Sequence, residues 1–228
     1  MQTGSIQNQK KIIQSPFNEC GIIVNDRPMY DFAKCLTFLE MKGKEIFGEK
    51  FKIYPEDHTV LYKLLLYIIG DREGAIKQGL FLTKGLLVTG PVGCGKTSLM
   101  KLLRYFQPPQ TRYIVKSCRD ISFAFIRNGY EVINHYTYGF GFETVKAICF
   151  DDLGTENNLK YYGNECNVMA EIMLSRYELY VYQGLLTHVT TNCNSLEIEN
   201  FYGNRVRSRM REMFNLVAFD KGSNDKRE

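Results

Sequence analysis

Gly90-Pro91-Val92-Gly93-Cys94-Gly95-Lys96-Thr97 lies between a short apolar run, Gly85-Leu86-Leu87-Val88-Thr89, and a stretch with helical spacing of its apolar residues, Ser98 to Phe106. The octet fits G-x-x-x-x-G-K-[ST], the phosphate-binding loop. A strand, a glycine-rich turn and a helix in that order aim backbone N–H groups and the positive end of a helix dipole at one place. A nucleoside triphosphate is the expected guest. Gly90, Pro91, Val92, Gly93, Cys94, Gly95, Lys96, Thr97 and Ser98 form the candidate phosphate-binding set. Lys96 is expected to reach the β- and γ-phosphates, and the Thr97 hydroxyl to ligate Mg²⁺.

Working outward, the 228 residues suffice for one α/β core and a small extra element. No apolar run reaches 18 residues; the longest candidate, Val60 to Ile69, is broken by Tyr62, Lys63 and Tyr67. Residues 1–14 have the composition of a polar tail without the apolar stretch of a signal peptide, so a cytoplasmic location with no membrane partner is expected. Seven dispersed cysteines without a C-x-x-C pair fit reduced thiols better than a disulfide or zinc framework. Cys94 needs only its backbone N–H at phosphate. A net charge of +4 permits nucleic-acid contact without arguing for it, since phosphate neutralisation needs a local cluster.

Residues 15–80 are expected to form a mostly helical leader, with helices over Asp31–Gly48 and Thr59–Ile69, and a second domain to span 81–228. There, apolar runs at Leu86–Thr89, Arg112–Val115, Ala147–Phe150, Leu186–Thr191 and Leu216–Phe219 alternate with candidate helices. These are Lys96–Phe106, Arg119–Arg127, Glu165–Tyr182, Ser195–Phe201 and Tyr202–Phe214. Alternation of this kind predicts a five-stranded parallel sheet in a three-layer α/β domain. Asn128–Phe142, rich in Gly, Tyr and Asn, reads as a loop.

Three further elements belong beside the loop. Ala147-Ile148-Cys149-Phe150 ends in Asp151-Asp152, and ligands of open α/β sheets lie at the C-terminal strand ends. Asp151 is assigned to the metal and Asp152 to the attacking water. Thr190-Thr191-Asn192 closes another apolar run; adjacency places Asn192 between the loop and the acids, where an amide can sense the γ-phosphate. In the segment 202–214, Val206, Met210, Met213 and Phe214 share one stripe, with Arg205 and Arg209 on one flank and Arg207 and Arg211 on the other. A solvated basic face is one reading. The other gives the flanks separate roles, one reaching a neighbouring subunit's γ-phosphate and one meeting DNA phosphate.

With these elements in this order, residues 80–228 resemble the AAA+ ATPases of the DnaC/IstB-type group, which comprises helicase loaders and transposition helper ATPases. The resemblance is carried by the loop itself, Asp151-Asp152-Leu153-Gly154, Leu174-Ser175-Arg176-Tyr177, Thr190-Thr191-Asn192 and Tyr202-Gly203-Asn204-Arg205-Val206-Arg207-Ser208-Arg209-Met210. It implies an AAA+ type P-loop fold without a C-terminal lid, ATP and Mg²⁺ as ligands, and an arginine finger at Arg209 with Arg205 as its helix-face partner. It also implies a sensor arginine at Arg227. The Asp-Asp pair departs from the more widespread Asp-Glu and suggests slow turnover. Residues 1–80 match no helicase- or transposase-binding arm.

The resulting expectation is an ATPase that self-associates through the ATP site and acts on DNA, single-stranded DNA in particular, with a replicative helicase or a transposase. An alternative is an ATP-gated DNA-binding scaffold with incidental hydrolysis, for which Tyr130, Tyr136, Tyr138, Phe140 and Phe142 offer stacking surfaces. A GTPase is disfavoured because the guanine-reading Asn-Lys-x-Asp segment is missing.

Overall fold

A computed structural model describes residues 19–24, 27–139, 146–156, 159–161 and 164–227. The tail 1–14, together with Phe140 and Phe142, lies outside the described residues.

A hairpin opens them, β1 (Gly21–Val24) pairing antiparallel with β2 (Arg27–Tyr30). The leader was expected to be mostly helical, so this hairpin is an addition. Two four-residue strands are too short to show a period of their own. Helices α1 (Phe32–Phe47) and α2 (His58–Ile68) follow, close to the expected spans, and then α3 (Arg72–Lys77), for which the sequence reading gives no span. Asp31 caps α1 by accepting from Lys34 N, and Asp71 caps α3 by accepting from Gly74 N.

The sheet contains five strands, all parallel: β3 (Gly85–Thr89), β4 (Ile114–Ser117), β5 (Ile148–Leu153), β8 (Thr187–Thr191) and β9 (Phe214–Ala218). Their order across the sheet is β4-β5-β8-β3-β9, so β8 separates the loop strand β3 from the acidic strand β5. The crossovers are α4 (Lys96–Leu103), α5 (Cys118–Asn128), α6 (Glu131–Tyr138), α7 (Val168–Gln183) and α8 (Ser195–Met213).

Side chains alternate between the two faces, as the strand period requires. Leu86, Val88, Cys149 and Val217 pack with α1, α2 and α4. Leu87, Ile148, Phe150 and Val189 pack with α5 to α8. The result is a three-layer sandwich. Leader residues Leu39, Leu61, Leu64 and Ala75 share one core with Leu86, Val88 and Met100, so α1 to α3 form part of one helical layer.

Two local expectations fail. Glu131–Tyr138, within the stretch read as a loop, is helical and buries Val132, Ile133 and Thr137; its glycines lie at the ends, where Gly129 and Gly139 adopt positive φ. The helix expected from Glu165 starts at Val168, because β6 (Leu159–Tyr161) and β7 (Asn164–Cys166) form a hairpin just before it. Asn167 caps α7 by accepting from Ala170 N. The two C-terminal helices appear as one element, α8, broken at Gly203 (φ 84°, ψ 162°).

Candidate functional site

Strand β3 delivers the chain into the loop, and Gly95, at φ 99°, turns it into α4. The first turn of α4 has no side-chain cap. Its N–H groups therefore remain available to an anion. A cavity of about 640 Å³ opens over them. Among the expected residues, Val92, Gly93, Cys94, Gly95, Lys96, Thr97, Ser98, Asp152, Asn192 and Arg227 line it. Tyr54 and Asp57 of the leader and Lys226 of the tail line it as well.

Lys96 is buried and folded inward. Its ammonium donates to the carbonyls of Gly90 (2.8 Å) and Pro91 (2.7 Å) and to Asn192 Oδ1. Gly90 and Pro91 thus act through their carbonyls rather than as cavity lining. Burial lowers the Lys96 pKa, while Cys94, Asp152 and Asp151 oppose that shift. The Cys94 side chain is buried beneath the loop, and burial pushes its thiol pKa up. A thiol so placed is protonated and inert.

The acids occupy a bulge. Phe150 pairs with Val189 and Leu153 with Thr191, so three steps along β5 match two along β8. The extra residue breaks the alternation of side chains, and Asp152 takes φ 57°, a left-handed conformation shared by no other non-glycine among the described residues. The neighbouring carboxylates consequently serve different places. Asp151 is buried and accepts from the hydroxyls of Thr97 (2.9 Å) and Thr190 (2.6 Å). Asp152 faces the cavity, its pKa raised by burial and then by the charge of Asp151.

Thr97 commits its hydrogen to Asp151, which leaves its oxygen lone pairs for a cation. Hydroxyl and carboxylate oxygens are the donors that Mg²⁺ prefers. No group of three or more His, Cys, Asp or Glu suited to hold a metal occurs among the described residues. A magnesium ion here would depend on Thr97, Asp151 and the phosphates themselves.

The expected finger arginines lie elsewhere. Neither Arg205 nor Arg209 lines the cavity of its own chain. Arg205 is exposed, and Arg209 stacks on the Tyr177 ring with its guanidinium carbon 4.0 Å from the centroid. Arg207 pairs with Glu199. Arg227 is at the cavity rim, with 70% of its side chain exposed. The sequence offers no role for Thr190, Asp57 or Lys226; a threonine in a buried strand and an ion pair spanning 169 residues leave no local pattern.

Two solved structures share this architecture. A Streptococcus pyogenes serotype M3 protein assigned provisionally to the primosome superposes with a TM-score of 0.52 at 16% identity, covering 75% of this chain and 83% of its own. The DnaC helicase loader superposes with a TM-score of 0.50 at 16% identity, covering 75% of this chain and 95% of its own. The likeness is one of fold: a P-loop NTPase-like α/β sandwich shared with the DnaC helicase loader. No family model and no curated protein matches the sequence. This fold places the C-terminal ends of β3, β5 and β8 around one cavity, and the candidate residues of all three strands meet there. No helix among the described residues is long and apolar enough to cross a membrane.

Proposed function

We propose that this chain is an ATPase of the helicase-loader type, binding ATP in the cavity over Gly90–Thr97 and acting in DNA replication. The division of labour between the adjacent acids carries this reading: Asp151 holds the Thr97 hydroxyl while Asp152 faces the cavity. The first-turn amides of α4 and the Lys96 ammonium bind the phosphates. Asn192 holds Lys96 in place until a γ-phosphate draws the ammonium away from the loop carbonyls. Thr97 and Asp151 would hold Mg²⁺, which would supply charge neutralisation at the phosphates. Asp152 accepts the proton of the attacking water.

Arg209, with Arg205 beside it, serves the cavity of a second copy, which makes the working unit a self-associated one. Its partners in this reading are a replicative helicase and single-stranded DNA in the cytoplasm, with Arg211 among the exposed cations available to DNA phosphate.

The test is ATP hydrolysis per subunit against protein concentration, for wild type and Arg209→Ala, with and without helicase and single-stranded DNA. A rate per subunit that rises with concentration and collapses in the variant supports the shared site. A rate indifferent to both removes the finger. ATP-dependent, salt-sensitive DNA binding that survives Asp152→Asn, without helicase capture, would favour the scaffold alternative.

A further inference from the structure

The segment after β9 turns back over the phosphate loop. Phe219 N–H donates to Thr89 O at 2.8 Å, and Ser223 N–H closes a turn on Asp220 O at 3.1 Å. Lys226 then binds the loop twice, its backbone N–H to Gly93 O at 3.1 Å and its ammonium to Cys94 O at 3.0 Å. The same ammonium donates to both carboxylate oxygens of Asp57 in the leader. An ammonium has three donors, and all three are used. The two side chains keep only 12% and 6% of their surface exposed.

Two further observations mark this contact as built. Asp57 stands at the N-terminal end of α2, where an aspartate ordinarily caps the first turn, yet its side chain makes no cap bond. Its carboxylate is committed to Lys226 instead. The tail also presses on the loop so closely that a Cβ on Gly93 would lie 2.0 Å from Asp225 Oδ1.

The consequence follows from peptide geometry. A trans peptide is planar, with its C=O and N–H pointing in opposite directions. Hydrogen bonds to the carbonyls of Gly93 and Cys94 therefore fix the 93–94 and 94–95 peptide planes. They turn the N–H groups of Cys94 and Gly95 away from the tail, as donors for phosphate. We infer that Lys226 is a positioning residue for phosphate binding and that Asp57 holds it in place, so leader and tail jointly set the loop. This inference rests on the ATPase reading above and adds the element that regulates the same site: whatever moves the N-terminal end of α2 alters phosphate affinity.

The experiment compares wild type with Lys226→Met, Asp57→Asn, their double variant and Lys226→Arg. It measures calorimetric affinities for ATP, ADP and AMP, with the melting temperature of each protein. Each single variant is expected to weaken ATP and ADP about tenfold, the worth of one charge-assisted hydrogen bond, and the double no further. AMP binding stays within about twofold of wild type, because AMP reaches less of the amide cradle. Lys226→Arg, which keeps the charge, recovers most of the loss. Single variants that bind ADP as wild type does, or that weaken ADP and AMP equally, overturn the assignment while leaving the ATPase reading standing. A wild type that binds no nucleotide overturns both. Should Lys226→Met fail to fold, Asp57→Asn decides alone, because it keeps the size of the side chain it replaces.

Discussion

Thr190 Oγ1 bridges the two acids: it donates to Asp151 Oδ1 at 2.6 Å and accepts from the backbone N–H of Asp152 at 2.9 Å. Thr190 is fully buried in the central strand β8. One hydroxyl therefore fixes both the carboxylate of Asp151 and the bulge that carries Asp152. Thr190→Val keeps the shape and leaves both groups short of a partner. We expect a stability loss of about 1–3 kcal/mol for the unsatisfied buried groups. Misplacement of the two acids should lower kcat by about 10- to 100-fold, with ATP affinity little changed. Steady-state hydrolysis alongside urea denaturation checks both.

Asp152→Asn should separate binding from turnover. Removing a general base costs about 10²- to 10⁴-fold in rate, whereas the phosphate loop stays intact. The pH profile adds a second check. Burial and the Asp151 charge raise the Asp152 pKa, so the acid limb of kcat lies above the ordinary carboxylate range. A group whose folded pKa is raised contributes stability below its unfolded pKa and loses it as pH rises through the folded value. Ligand-free Asp152→Asn is therefore expected to melt higher than wild type at neutral pH and to lose that advantage near pH 4 and below. Asparagine also tolerates the φ of 57° at this position. Calorimetric melting across pH 3.5–8 tests the sign.

Much of this site could be seen in the sequence because its parts are local. Gly90–Thr97 lies between an apolar run and a helical one, and the parallel alternation that follows dictates which strand ends meet. Asn192 could be placed between the loop and the acids on those grounds; its bond to Lys96 was not foreseen. Elements set by long-range contact were hidden. The Asp57–Lys226 pair depends on how the leader packs against the tail, and neither residue has a neighbour in sequence that signals it. Helix Glu131–Tyr138 was masked by the glycines around it, because Gly129 and Gly139 speak for its ends and not for its interior. The bulge at Asp151–Asp152 is equally silent: it exists only as a difference of register between β5 and β8.

Arg176, in the Leu174–Tyr177 segment, is fully buried and has no carboxylate partner among the described residues. It donates to the Thr187 hydroxyl at 2.8 Å and to the carbonyls of Tyr136, Lys146 and Leu186, tying α7 to the beginnings of β5 and β8. Burial lowers its pKa to about 10, leaving it charged at neutral pH. Arg176→Met fills similar volume but strands these acceptors. We expect a loss of about 3–5 kcal/mol, comparable to breaking a buried charged network. Guanidinium denaturation measures it. Lys in place of Arg should recover little, because one ammonium cannot span a fork of four acceptors.

His188, buried in the centre of β8, accepts the Leu86 N–H at Nδ1 over 3.1 Å and packs against the rings of Tyr113 and Tyr67. Accepting at Nδ1 requires a lone pair there, so the ring is neutral. Burial, with the Arg176 charge as a second cause, pushes its pKa down to about 3 from 6.5. Below pH 6.5 the unfolded chain takes up a proton that the folded chain refuses until about pH 3. The stability associated with this histidine is complete above 6.5 and is lost as pH falls toward 3, with a slope approaching about 1.4 kcal/mol per pH unit. His188→Asn retains an acceptor for Leu86 and cannot be protonated. Its absolute stability should be lower, because the ring contacts are gone. The variant's loss of stability between pH 6.5 and 4 should nevertheless be shallower than that of wild type by most of this slope. Parallel urea titrations at half-unit pH steps measure the difference, and equal slopes in the two proteins would mean that His188 is charged in the folded state.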